Sequence, residues 1–152
     1  MKKVAILLGS ETDRPLMEES LPYLDHFQVP YEVHVLSAHR HPDQVARFAA
    51  SARDNGFGVL IAGAGMAAHL AGTIKAHTTL PVIGVPLPGG LADGLDALLA
   101  TVQMPKGVPV ATMSVGKAGA INAAVLAVEI LALDEPELQE RLELFKSQGA
   151  KL

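Results

Sequence analysis

The sequence predicts a three-layer α/β/α sandwich, a parallel five-stranded sheet with helices on both faces. Three observations predict it. Short apolar runs alternate with segments of helical periodicity along the whole chain. Several runs, such as Val4-Ala5-Ile6-Leu7-Leu8 and Val59-Leu60-Ile61-Ala62, are apolar throughout, as strands covered on both faces are. Each run leads into a turn rich in glycine, proline, serine or histidine. Strands joined through helices run parallel, with right-handed crossovers.

In chain order, Lys3 to Leu8 reads as the first strand and Gly9-Ser10-Glu11-Thr12-Asp13 as its turn. Arg14 to Phe27 reads as a helix with Met17, Leu21 and Leu24 on one face, kinked at Pro22. Tyr31 to Leu36 is read as a buried second strand. Pro42 to Asn55 follows as a helix with a stripe of Val45, Phe48, Ala49 and Ala52, stopped by Gly56. The third strand is expected at Val59 to Ala62, running into a Gly63 to Leu70 turn and a helix to about Thr78. The fourth is Pro81 to Val85, followed by the loop Pro86-Leu87-Pro88-Gly89-Gly90 and a helix over Gly94 to Val102. The fifth is Val108 to Met113, with Pro109 at its start, where proline is tolerated. The expected strand order is 2-1-3-4-5, the flavodoxin-like arrangement, with an additional C-terminal helix.

The segment Ala120 to Leu133 is apolar around its circumference apart from Asn122 and Glu129. A helix of that kind is covered on all sides, which a domain this small can hardly do alone, so a second subunit is expected. The last helix, opened by Asp134-Glu135-Pro136-Glu137, carries Leu138, Leu142 and Phe145 as a stripe with no obvious place left on the sheet. Residues 134–152 are therefore expected to pack on a neighbouring subunit. All 152 residues read as a single catalytic domain.

Composition excludes several classes. There is no cysteine, hence no disulfide framework and no thiolate nucleophile or thiolate metal site. The formal net charge is −4, with no basic cluster, which argues against a nucleic-acid partner. The apolar run after Lys2-Lys3 is too short for a secretory signal, and no stretch reaches membrane-span length. A cytoplasmic location is the expectation.

The motif search removes further chemistries. Gly63-Ala64-Gly65-Met66-Ala67-Ala68 fits G-x-G-x-x-A after a strand, but it follows the third strand and no acid stands at the end of the next, so a dinucleotide is not expected. Gly116-Lys117 lacks the rest of a P-loop, and neither G-x-S-x-G nor H-E-x-x-H occurs. His39 and His41 lack a third ligand, so no metal is expected. What remains is the set of turns at one sheet edge, where open α/β sheets bind ligands. Ser37-Ala38-His39-Arg40-His41-Pro42 puts a near-neutral proton carrier beside a fork for phosphate or carboxylate. Both can equally be loop residues, with Arg40 paired to a surface acid. Gly9 and Ser10 open a helix start suited to an anion. Asp13 either accepts from ribose hydroxyls or caps the helix. His69 is either a satisfied helix-start histidine or a site residue.

Taken together the turns resemble the class I N5-carboxyaminoimidazole ribonucleotide mutases of bacterial purine biosynthesis. The residues that carry the resemblance are Gly9-Ser10 with Asp13, Ser37-Ala38-His39-Arg40 with Pro42, and Ala62-Gly63-Ala64-Gly65 with Ala67-Ala68-His69-Leu70. Pro81 to Pro86, Val102-Gln103-Met104-Pro105, and Gly116 to Ala120 with Asn122-Ala123-Ala124 also match. The resemblance implies a homo-octamer, no metal and no organic cofactor. It implies transfer of a carboxyl group from the exocyclic nitrogen of a nucleotide substrate to ring carbon 4, through trapped carbon dioxide. His39 matches the general acid/base; Ser10, Asp13 and Arg40 match substrate-binding positions. Gly9, Ser37, Ala38, Gly63, Ala64, Gly65, Ala68 and His69 complete the expected binding set.

There are departures: His41 where threonine is usual, Ala71 for proline, Pro88-Gly89-Gly90 for a serine/alanine-rich loop, and Asp96-Ala97-Leu98 for Asp-Ser-Leu. They bear on the contacts of the fourth loop. Two rivals stand beside the mutase. One is the sister carboxylase that uses free carbon dioxide; Arg40 and the Gly63 to Leu70 segment speak against it. The other is a non-catalytic nucleotide-binding flavodoxin-like module, which would have no need of His39.

Overall fold

A run such as Val4-Ala5-Ile6-Leu7-Leu8 has no side that gains by facing water, so it stabilises a fold only from the middle of a covered sheet. In the computed structural model, which describes residues 1–152, these residues form β1 (Lys3–Leu8) and are at most 1% exposed. Around it stand β2 (Tyr31–Val35), β3 (Phe57–Gly65), β4 (Val82–Leu87) and β5 (Ala111–Thr112). The order is β2-β1-β3-β4-β5 and every pair is parallel, the flavodoxin-like sheet expected from the sequence.

The helices divide between two faces. α1 (Arg14–Met17), α2 (Leu21–His26) and α6 (Lys117–Leu131) cover one, with α7 (Pro136–Ser147) outside them; Met17, Leu24, Ala124, Val128 and Phe145 join Ile6, Ile61 and Val85 in one core. α3 (Pro42–Ser51) and α4 (Leu70–Ala76) cover the other, with Val45, Ala49, Leu70 and Ile74 against Leu7, Leu60 and Val82. α5 (Leu95–Val102) packs on β4 and β5 through Ala97 and Thr101.

Several elements differ from the sequence reading, each for a physical reason. The helix expected over Arg14 to Phe27 is two short helices joined by a 3₁₀ turn at Glu18–Ser20. Pro22 has no N–H to offer the Glu18 carbonyl, and it sits instead in the first turn of α2, where none is needed. β2 is half-buried along its length, not buried, because it is the sheet edge and carries Glu32 and His34. β3 is longer than expected. Gly63, Ala64 and Gly65 belong to the strand and pair with Val85, Pro86 and Leu87. β5 shrinks to Ala111–Thr112, since Pro109 has no N–H for the ladder.

α6 buries Ala120, Ala123, Ala124, Ala127, Val128 and Leu131 and leaves Ile121, Val125, Leu126 and Ile130 half-exposed. One chain thus covers one side of this apolar helix, not its whole circumference. The stripe of α7 does find a place within its own chain. Leu138 is fully buried, and the Phe145 ring lies 5.1 Å from Phe27 and 6.1 Å from Tyr23. The Arg141 guanidinium donates to the Phe27 carbonyl at 2.7 Å. The stripe expected to lack a place thus has one beside α2 and α6, in the core of its own chain.

That packing makes a prediction. Leu138→Ala removes a fully buried side chain and should lower unfolding stability by about 2–5 kcal/mol. Chemical denaturation at several protein concentrations checks it. A loss that fades at high concentration would return the stripe to an intersubunit role.

Candidate active site

The strands all point one way, so the turns after β1, β2, β3 and β4 meet at one edge. Between them lies a cavity of about 560 Å³, large enough for a mononucleotide.

The turn after β1 begins at Gly9, whose N–H donates to the Gly63 carbonyl at 3.1 Å. Ser10, in extended backbone at φ −152°, caps the 3₁₀ turn Glu11–Asp13; its Oγ accepts from the Thr12 N–H at 3.3 Å and lies 3.0 Å from the Thr12 hydroxyl. These hydroxyls and Asp13 all reach the cavity wall. Burial holds the Asp13 carboxyl above its ordinary range, partly offset by the Ser10 backbone N–H. No cation pairs with it. Arg14, the nearest arginine in sequence, is held by Glu11 at 2.8 Å and Glu18 at 3.4 Å, which push the guanidinium further above its ordinary range.

The turn after β2 is closed by Ser37. Its Oγ accepts the Arg40 N–H at 3.2 Å and its carbonyl accepts the His41 N–H at 2.9 Å. This loop presents Ser37, Ala38, His39 and Arg40 to the cavity. Arg40 is exposed and has no acidic partner within 4.0 Å, so its charge remains available to an anion.

The turn after β3 brings the second histidine. The Ala68 N–H donates to the Met66 carbonyl at 2.9 Å and the His69 N–H to the Ala67 carbonyl at 2.8 Å. These tight steps deliver His69 to His39, with Nε2 of His39 hydrogen-bonded to Nδ1 of His69 and the rings crossing at 84°. Only one proton fits between two nitrogens, so one ring donates and the other accepts. Such a pair has the geometry to give up a proton and take one back. Beside it the N–H groups of Met66 and Ala67 have no acceptor in the chain.

The structure brings Gly9, Ser10, Asp13, Ser37, Ala38, His39, Arg40, Ala64, Gly65 and His69 to one wall. It does not bring Gly63 or Ala68 there. Gly63 lies behind the wall, where a Cβ would sit 2.5 Å from the Met17 sulfur, and Ala68 is 2% exposed beneath its loop. Thr12, Met66, Leu70, Pro88 and Gly89 also line the cavity, none of them an expected site residue. The Pro88-Gly89 pair had a signal, its place after a strand at the ligand edge; Leu70 had none. Of the departures, His41 is exposed at the start of α3 and Ala71 is buried in α4. Asp93 accepts from the Gly89 N–H and Asp96 from the Leu91 N–H, each at 3.1 Å, so carboxylates brace the fourth loop.

Fold and cavity define a class: a doubly wound α/β protein with a hydrogen-bonded histidine pair, anion donors and an unpaired carboxyl at the carboxyl edge of its sheet. Comparison with known proteins narrows it. The family model described as AIR carboxylase matches residues 3–151, and the chain belongs to that family. It is 50% identical over 146 residues to the N5-carboxyaminoimidazole ribonucleotide mutase of Pyrococcus abyssi, covering 96% of this chain and 83% of that one. It is 49% identical over 150 residues to the protein of the same name from Haemophilus influenzae, covering 99% and 92%. The crystal structure of Treponema denticola PurE superposes with a TM-score of 0.86 at 24% identity, over 97% of this chain and 90% of that one; at that identity it speaks for the fold.

The raised Asp13 carboxyl gives a signed prediction. A folded state that holds a proton more tightly than the unfolded chain loses stability as pH rises from the ordinary value of 3.8 through the raised one. Asp13→Asn removes that cost. The unliganded variant should melt slightly above the parent at neutral pH, and the gain should vanish below the ordinary carboxylate range. Melting temperatures across acidic and neutral pH check it; a gain that persists in acid would assign the effect to something other than the carboxyl charge.

Proposed function

We propose that this chain converts N5-carboxyaminoimidazole ribonucleotide to 4-carboxy-5-aminoimidazole ribonucleotide, an isomerase step of purine biosynthesis that uses neither ATP, metal nor organic cofactor. The observation that carries the reading is the His39–His69 pair in the wall of a mononucleotide-sized cavity. Family membership and the two named mutases support it.

In this reading Ser10, Thr12 and Arg40 hold the phosphate, and Asp13 accepts from the ribose hydroxyls. His39 gives a proton to the carbamate nitrogen and the nitrogen–carbon bond breaks, releasing carbon dioxide beside an electron-rich aminoimidazole. Carbon 4 attacks the trapped gas, forming the carbon–carbon bond. The proton displaced from carbon 4 returns to His39, so the histidine ends as it began. His69 holds the His39 ring, and the small wall residues Ala64, Gly65 and Ala67 leave room for the gas. The unpaired N–H groups of Met66 and Ala67 suit its carboxylate. A dry pocket matters, since escape of the gas ends the transfer.

The same proposal has the chain work in the cytoplasm as a homo-octamer. The half-exposed Ile121, Val125, Leu126 and Ile130 of α6 support assembly, as does the exposed row Leu91, Leu95, Leu99 and Val102. Leu133, 85% exposed, and Leu144 lie at either end of the last turn-and-helix segment and suit a contact between residues 134–152 and a neighbour. Light scattering should give a mass several times that of one chain; a stable monomer would overturn this part.

His39→Asn keeps roughly the size and a hydrogen bond but cannot cycle a proton. It should lower turnover by about 10²–10⁴-fold while nucleotide affinity holds. Near-normal turnover would remove His39 from the chemistry. Arg40→Leu should instead act on binding, costing roughly 1.5–3 kcal/mol in a nucleotide titration. The sister carboxylase is tested by isotope. Labelled bicarbonate entering the product as fast as product forms, with the carboxyamino nucleotide inert, would make direct carboxylation the reaction.

A further inference from the structure

Met66 is the one non-glycine residue of the cavity wall with a left-handed backbone, φ +54°. That conformation costs a residue with a side chain about 1 kcal/mol or more, and glycine would adopt it freely. The strain has two visible results. It turns the chain sharply from β3 toward α4, so that His69 arrives against His39. It also leaves the Met66 and Ala67 N–H groups without acceptors in the cavity wall.

The side chain is the third observation. It is 67% exposed, an unbranched apolar arm at the mouth of a polar cavity. A thioether with several free rotations adapts to what it covers. In solvent it gains nothing and in this backbone it carries a cost, and a filled cavity would give the arm apolar surface to cover.

We propose that Met66 is a positioning residue that retains the transferred carbon dioxide. Its backbone holds two N–H donors toward the gas, and its thioether arm covers the mouth while the gas is bonded to neither nitrogen nor carbon 4. This rests on the carboxyl-transfer reading above. The retained gas bonds to carbon 4 and its proton goes to His39. Escaped gas leaves aminoimidazole ribonucleotide behind and is hydrated to bicarbonate and a proton. Met66 makes and breaks no bond; it sets the ratio of the two fates.

The test compares the parent with Met66→Ala, Met66→Gly and Met66→Leu, all supplied with the carboxyamino nucleotide. Carboxylated product and released aminoimidazole ribonucleotide are quantified, against an enzyme-free control for spontaneous loss. Uptake of labelled bicarbonate, nucleotide affinity and melting temperature are measured alongside. The expected result is a several-fold larger released fraction and faster label uptake in Met66→Ala and Met66→Gly, with nucleotide affinity nearly unchanged. Met66→Leu, which keeps an apolar cover, should stay near the parent. Met66→Gly should melt above Met66→Ala, because it sheds the left-handed cost. An unchanged ratio of fates in both truncations overturns the proposal, as does a change confined to Met66→Gly, which would leave the thioether no part. If the parent itself fails to turn over the carboxyamino nucleotide, it is the carboxyl-transfer reading that fails.

Discussion

The cavity depends on the last rung of the central ladder, where the Gly9 N–H donates to the Gly63 carbonyl at 3.1 Å. β1 and β3 are adjacent and parallel, so this bond fixes where two turns leave the sheet at once. One of those turns carries Ser10 and Asp13, and the other carries Met66 and His69. Behind the rung, the missing Cβ of Gly63 admits the Met17 side chain, which brings α1 down onto the sheet. A larger residue at 63 would meet the Met17 side chain and push the end of α1 away from the sheet. The chemistry of the site is thus set by backbone geometry before any side chain acts.

Charge around the cavity is sorted in a similar way. Arg14, next to Asp13 in the chain, is held by Glu11 and Glu18. Lys117 is 3.2 Å from Glu19. Arg40, exposed and without a counter-charge, is the wall cation left for a ligand. The only wall carboxyl, Asp13, is partly buried and unneutralised. A ligand with an anionic end and several hydroxyls satisfies both, whereas a polyanion meets the unpaired carboxyl and is disfavoured.

Much of this was legible in the sequence, and the rest was not for identifiable reasons. The apolar runs and the turns after them gave strand order and active edge, because both follow from burial and handedness. The pairing of His39 with His69 was not legible. The two lie thirty residues apart, and their meeting depends on the left-handed step at Met66, a conformation that methionine does not advertise. Tyr31 to Leu36 looked like a buried strand because edge position leaves little mark on composition. Gly63 to Gly65 looked like a turn because glycine weakens a strand in general, yet here close approach requires it. The stripe of Leu138, Leu142 and Phe145 seemed homeless because its partners, Tyr23 and Phe27, sit on helices that Pro22 interrupts.

The two faces of the sheet also differ in when they can close during synthesis. The core under α3 and α4 is built entirely from residues between Ala5 and Val82. The core on the opposite face spans Val4 to Phe145 and includes Leu138 and Leu142 from α7. A chain emerging from the ribosome can therefore bury one face of its first four strands while the other remains open. Leu24 and Phe27 share that core with Leu138 and Phe145, so their face closes fully only once α7 has docked. The segment Pro136–Ser147 thus acts as a cover made after the strands it shields, and apolar surface left open before it docks is the kind that favours aggregation.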